Sequence, residues 1–373
     1  MKITTNHTRL LAMYVSDTRG DQTMLLSALR FNNISKPITE SDSARPDRWL
    51  RSLHLAFLLL CVLLVAESHA ADKIIYIRPV PMNEDPLLRL GTTGVNQAAL
   101  MYGMEASTLA SQPTREGRQQ QLDAALKQNP KVVVLLGFEF KELVANVARQ
   151  APNTRFFLLE HCVDNAPPNL TCIQFRETEA SYLAGIAAGL TSHNGKVGMI
   201  AAFDTPVRRQ NAEAFAAGAI AAKPTISVYD PQWIGGEQPF NDPARGEQVA
   251  KAMLAAGVDT IFSTAAVSNQ GVFRAVAAQP KARVIGHPVN QCRVLPGKVL
   301  DNVEVHLDIA ILLAVGEALR GTVRERMDFG LREGALSMTS LSPDAALSEC
   351  EITKERALLL KLREAKKIII SRK

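Results

Sequence analysis

The side chains able to hold a small molecule are spread along this 373-residue chain rather than gathered into a catalytic signature. Asn96, Asn211, Asn290 and Gln291 combine amide donors and acceptors, which suits a neutral polar ligand; the same types serve equally as turn or helix-start residues. His287 follows a predicted strand end, where pockets form, and would donate to an anionic or heteroaromatic group; an exposed histidine needs no such role. Phe138 follows another strand end, and Trp233 and Phe240 flank Gly235-Gly236 after a third. Each offers a stacking face, or fills the core. Aromatics are only 5% of the chain, so each of these rings counts. Arg208 and Arg209 open a predicted helix, a place for a carboxylate or phosphate, and otherwise form a solvated cationic pair.

Enzyme signatures are missing. There is no G-x-S-x-G, no H-E-x-x-H and no G-x-x-x-x-G-K-[ST]. Gly91-Thr92-Thr93-Gly94 reads as a loop without the lysine a phosphate cradle needs. Glu177 and Glu179 stand two apart on a predicted helix and do not share a face, so surface and capping roles are expected of them rather than acid–base work. Neither catalysis nor a cofactor is expected.

The cysteines speak for an oxidising compartment. Cys162, Cys172, Cys292 and Cys350 form an even set after the leader, and Cys162–Cys172, flanking a turn-rich stretch, is the natural local disulfide. Cys292 and Cys350 are the remainder, and their pairing is left open. A metal site drawing on His161 lacks both a C-x-x-C and a second histidine at ligand spacing, so no metal is expected.

The elements that must position these residues begin after an address segment. Arg45, Arg48 and Arg51 precede 12 apolar residues, Leu55 to Ala66, with Ser68 and Ala70 at small-residue cleavage positions. A spanning helix needs about 20 apolar residues, so residues 47–70 read as a secretory signal peptide, cleaved before Ala71. Cys61 lacks the small residue before it that a lipid anchor needs. Residues 1–46 read as an extraneous or disordered leader; a cytoplasmic extension on an uncleaved anchor is the rival.

Beyond residue 70 the chain carries 34 Lys/Arg against 31 Asp/Glu, which does not make a nucleic-acid surface. With 47% apolar and 21% charged residues it is of ordinary globular composition, long enough for two domains. Short apolar runs (73–79, 131–137, 155–160, 171–175) alternate with amphipathic stretches, and the pattern restarts at 196–201. That is the signature of βαβ units and parallel sheets. The expected fold is α/β with two doubly wound lobes and a hinge: residues 71–178 and 303–342 in lobe 1, 179–302 and 343–373 in lobe 2. Ligands of such sheets bind beyond the carboxyl ends of strands, between the lobes.

F-R-E-T-E-A-S-Y-L-A-G-I-A-A-G-L-T (175–191), G-K-V-G-M-I-A-A (195–202), A-F-A-A-G (214–218), F-N-D-P-A-R-G (240–246), G-V-D-T-I-F (257–262), Q-G-V-F-R-A (270–275), V-I-G-H-P-V-N-Q (284–291) and D-F-G-L-R-E-G-A-L (328–336) together resemble the basic membrane protein (Bmp) family of ABC-transporter solute receptors, which includes purine nucleoside receptors. The resemblance implies a type I periplasmic binding protein fold. It also implies an exported, monomeric component that gives a small polar, nucleoside-like or heteroaromatic ligand to ABC permease subunits; a periplasmic sensor on the same scaffold is the alternative. The family's two stacking phenylalanines correspond to Gly94-Val95-Asn96 and to Asn211. Its ribose-binding aspartate corresponds to Pro288, and a downstream lysine to Val305. Losing two ring faces and a carboxylate removes about 0.5–1.5 kcal/mol per stack and about 1.5–3 kcal/mol for the charged bond. An ordinary purine nucleoside is therefore not the expected cargo.

Overall fold

The computed structural model describes residues 71–81, 85–322, 324–342 and 349–371; the leader and signal-peptide readings lie outside the described residues. Two mostly parallel sheets result from the alternation. The first takes β1 (Lys73–Arg78), β2 (Glu105–Ala110), β3 (Val132–Leu136), β4 (Arg155–Leu159), β5 (Leu170–Phe175) and β12 (Arg326–Phe329), in the order β12-β5-β4-β3-β1-β2, every pair parallel. The second takes β6 (Lys196–Ala201), β7 (Ser227–Val228), β9 (Thr260–Thr264), β10 (Arg283–Gly286), β11 (Val299–Val305) and β13 (Leu336–Met338), in the order β13-β11-β10-β9-β6-β7. A short β8 (Gln232–Trp233) pairs with β6, and β13 alone runs antiparallel, against β11. Runs such as Val132–Leu136 are buried throughout because helices cover both faces of the sheet.

The helices are α1 (Pro86–Tyr102), α2 (Arg115–Leu126), α3 (Lys141–Gln150), α4 (Glu177–Thr191), α5 (Pro206–Ala222), α6 (Pro243–Ala255), α7 (Asn269–Ala277), α8 (Leu307–Leu319) and α9 (Arg356–Ser371). Asp85, Thr114, Thr205 and Asp242 cap four of them through side-chain oxygens, three with proline in the first turn. The expected loop at Gly91–Gly94 is instead the interior of α1. These glycines are packing devices: a Cβ on Gly91 would sit 2.3 Å from the Tyr76 ring, and one on Gly94 would sit 2.8 Å from the Asp308 backbone of α8. Edge strand β2, with alternating small polar residues, gave no apolar run and is an addition to the sequence reading.

The chain passes from one sheet to the other three times, at Arg176, at His306 and between Phe329 and Leu336. Because β13 joins the second sheet, the last passage falls before residue 336 rather than at 342. Arg176 ties these passages together. Its guanidinium donates to Glu179 (2.7 Å), to the Asp328 carbonyl (2.5 Å) and to Glu333 (2.5 Å), while Glu179 also accepts from the Leu331 amide. Nearby, His306 bonds Ser337 at 2.8 Å. Glu179 is thus a half-buried brace between these passages, not the surface residue expected.

Both disulfides form. Cys162–Cys172 closes the turn after β4, and Cys292–Cys350 fastens the segment before α9 to the second lobe. Asn302 donates to the Cys292 sulfur and to Thr339, and beside it Asp301, fully buried, accepts from the Ser340 hydroxyl (2.5 Å), the Ser340 amide and the Asn302 amide. Burial pushes the Asp301 carboxyl up to about 7 despite those bonds. Between pH 4 and 7 the folded protein then holds a proton that the unfolded chain has released, so stability falls as pH rises through that window. Thermal unfolding across pH 4–8 should show that Asp301→Asn loses less stability than wild type as pH rises, by the share of one proton, while Glu160 and His287 keep their own contributions; identical pH dependence in the two proteins would take Asp301 out of the account.

Candidate functional site

The carboxyl ends of both sheets carry a continuous set of polar groups. Glu160 follows β4 with φ of 69°, and burial raises its carboxyl to about 7, with Glu177 adding to the rise and Arg208 opposing it. Glu177 opens α4 directly after the first passage between sheets. It accepts from Arg208 Nη1 and from Asn211 Nδ2, both at 2.6 Å. Burial alone would raise Glu177, yet the Arg208 guanidinium and these bonds hold it below the usual carboxylate range. Glu160 from the first lobe therefore faces Glu177 and Arg208 of the second, within electrostatic reach across the interlobe seam.

His287 is buried on the second lobe's side, after β10. Its carbonyl accepts from Asn269 Nδ2 and Gln291 Nε2, both at 3.0 Å, which fixes the backbone and leaves the ring to its surroundings. Burial lowers the imidazole to about 4, so it is neutral at pH 7. Its Nε2 has no partner, and neither does Oδ1 of Asn211. These residues are 9% and 2% exposed, so two polar atoms stand unmatched in one electrostatic neighbourhood, where each such atom costs about 1–3 kcal/mol. A bound molecule presenting N–H or O–H groups would relieve that cost.

Aromatic surface lies on both lobes. Phe138, half exposed, meets His161 edge-on at 5.8 Å after β3 and β4. Burial lowers His161, with Lys141 and Arg208 adding to the effect, so this histidine too belongs to the seam. On the second lobe Phe240 packs edge-on against Phe203 at 5.1 Å, beyond the end of β6, with Trp233 half-buried in β8.

The structure brings some of the expected residues together and leaves others out. Asn211 bonds Glu177 and His287 lies within its electrostatic reach, while Phe138 follows β3, Trp233 ends β8 and Phe240 lies in the turn beyond it. Asn96 does not join them: it is exposed on α1, eleven residues past the Asp85 cap, or roughly 16 Å along the axis. Asn290 caps its own loop by accepting from the Cys292 amide, and Gln291 braces His287. Arg208 is paired with Glu177 rather than solvated, while Arg209 pairs with Asp204 on the surface. Sequence reading missed Glu160 and Asn269 and assigned Glu177 to capping. The position of Glu177, two residues past the end of β5 and first in the helix that follows, was the available signal. Among the described residues, no group of three His, Cys, Asp or Glu side chains could hold a metal, and no helix is long and apolar enough to cross a membrane.

Residues 75–372 match the family described as Bmp, ABC transporter substrate-binding protein PnrA-like. The chain belongs to this family. It is 30% identical over 152 residues to a CD4+ T-cell-stimulating antigen of Listeria monocytogenes, covering 41% of each chain. It is 29% identical over 151 residues to the ABC transporter nucleoside-binding protein BmpA of Lactococcus lactis, covering 40% of this chain and 42% of the relative. The matched stretch thus spans about two-fifths of the length of these relatives. A solute-binding protein of an ABC transporter system from Aeropyrum pernix superposes with a TM-score of 0.66 at 21% identity, covering 80% of this chain and 91% of the other. A second such protein, from Conexibacter woesei, gives 0.63 at 18%, covering 81% and 97%. The Bmp-family fold is that of a type I periplasmic binding protein, and the family is one of substrate-binding proteins rather than enzymes.

Proposed function

We propose that this Bmp-family protein is an exported, monomeric receptor that closes its two lobes on a small polar heteroaromatic ligand and presents it to ABC permease subunits. The observation that carries the reading is the pair of unmatched buried atoms, Asn211 Oδ1 and His287 Nε2, beside the Glu177 carboxylate. An acceptor amide, a carboxylate and a neutral imidazole suit the ring N–H and exocyclic amine groups of a nucleobase-like heterocycle. Phe138 on one lobe and Phe240 on the other supply stacking faces in place of the family's phenylalanines. Closure follows when the ligand binds the closed form more tightly than the open one. The nucleoside-binding relative supports a heterocyclic cargo, while Asn211 and Pro288 at the family's phenylalanine and aspartate positions argue against an ordinary ribonucleoside.

Thermal unfolding of residues 71–373 against nucleobases, nucleosides, related heteroaromatics, sugars and small carboxylates tests this. A cargo at a hundred times its dissociation constant adds about 2.7 kcal/mol, a rise of several degrees. Heteroaromatics should give the rise. A response confined to sugars would overturn the cargo, and no response from any class would favour a sensing role on this scaffold.

A further inference from the structure

Arg78 ends β1 only 8% exposed, and its Nε and Nη1 have no hydrogen-bond partner. Three other arginines are matched, Arg176 to Glu179 and Glu333, Arg208 to Glu177, and Arg245 to the Ile234 carbonyl, whereas Arg118 leaves its Nε without a partner and Arg78 leaves two nitrogens so. Two further donors stand unmatched around it. The Tyr76 hydroxyl, two residues back on the same face of β1, is fully buried without a partner and lies within the field of Arg78. Ser111, whose amide donates to the Arg78 carbonyl at 3.0 Å, has a fully buried hydroxyl that is also unpartnered. A guanidinium and a phenol thus share one face of β1, a serine hydroxyl stands at the neighbouring end of β2, and none of the three has a hydrogen-bond partner. The Tyr76 hydroxyl also senses Glu160 and Asp85, which joins this corner to the interlobe seam.

We propose that Arg78, Tyr76 and Ser111 form a receptor for an anionic group on the cargo, a planar carboxylate attached to the heterocycle. This rests on the receptor reading above and narrows its substrate class. A guanidinium fork matches a carboxylate in plane, and the two hydroxyls complete its oxygens. A single negative charge fits better than a doubly charged phosphate, because Asp85, Glu139 and Glu160 stand nearby and burial already raises each of them. The other end of such a ligand reaches the acceptors at Asn211 and Glu177, so the two lobes would read opposite ends of one molecule.

Matched pairs of one ring with and without the acid test this: orotate against uracil and nicotinate against nicotinamide, titrated by calorimetry, with inorganic phosphate as a separate arm. The acid of at least one pair should bind at least tenfold tighter than its neutral partner. Arg78→Met, which replaces the unmatched charge with an apolar side chain, should erase that difference; Tyr76→Phe and Ser111→Ala, each removing one hydroxyl, should narrow it several-fold. Neutral members binding as tightly as the acids would overturn the anionic class and leave the receptor standing. Phosphate binding as tightly as the acids would overturn the carboxylate assignment. No binding in either half would overturn the heterocyclic receptor along with it.

Discussion

Glu177→Ala should weaken cargo binding about a hundredfold and destabilise the protein by about 3 kcal/mol, because one carboxylate holds both Arg208 and Asn211. Their bonds to it are 2.6 Å, and Asn211 is almost wholly buried. Removing one member of such a pair leaves the other charge uncompensated, a change that costs about 3–5 kcal/mol when fully buried and less here, where Arg208 keeps 19% of its side-chain surface. Asn211 would then have neither partner, and its amide would no longer be aimed. A hundredfold loss corresponds to about 2.7 kcal/mol, the range expected of a charge-assisted hydrogen bond network. Glu177→Gln preserves shape and one acceptor, so it should fall between wild type and alanine in both affinity and stability. Chemical denaturation and calorimetry on the three proteins separate the effects. Equal affinity in all three would remove Glu177 from the site.

Reduction of both disulfides should lower stability by more, about 7 kcal/mol in sum. Cys292 and Cys350 are separated by 58 residues, and closing a loop of that length restricts the unfolded chain by about 4 kcal/mol; the 10-residue separation of Cys162 and Cys172 contributes less. The melting temperature should drop by roughly 10 °C in dithiothreitol. The paired substitution Cys292→Ser with Cys350→Ser should reproduce most of that drop, and the Cys162/Cys172 pair the smaller part. Equal drops for the two pairs would show that strain or unfolded-state structure outweighs loop length.

The architecture was legible because parallel strands buried on both faces write themselves as unbroken apolar runs, as at Val132–Leu136 and Lys196–Ala201. What escaped was structure with no such pattern. Edge strand β2 is half-buried and carries Glu, Ser and Thr, and α1 hides behind two glycines whose purpose is close packing rather than a turn. Part of the candidate site could be singled out from sequence: His287 follows β10, and Asn211, in the second turn of α5, bonds Glu177. Glu160 and Arg78 were not legible, because a charged residue at the end of a buried strand looks the same in sequence whether it points to water or into a seam. Only the folded packing around these strand ends makes their burial, and hence their demand for a partner, visible.

Closure of the two lobes on a cargo is the central claim, and an inter-lobe distance measures it directly. Spin labels at Gln120→Cys on α2 and Lys251→Cys on α6, both exposed and on opposite lobes, report that distance without touching the seam. Adding a heterocycle that stabilises the protein should collapse the distance distribution onto one shorter population, and Glu177→Ala should not respond at the same concentration. A ligand that binds with one-to-one stoichiometry while the distribution stays unchanged would contradict the account.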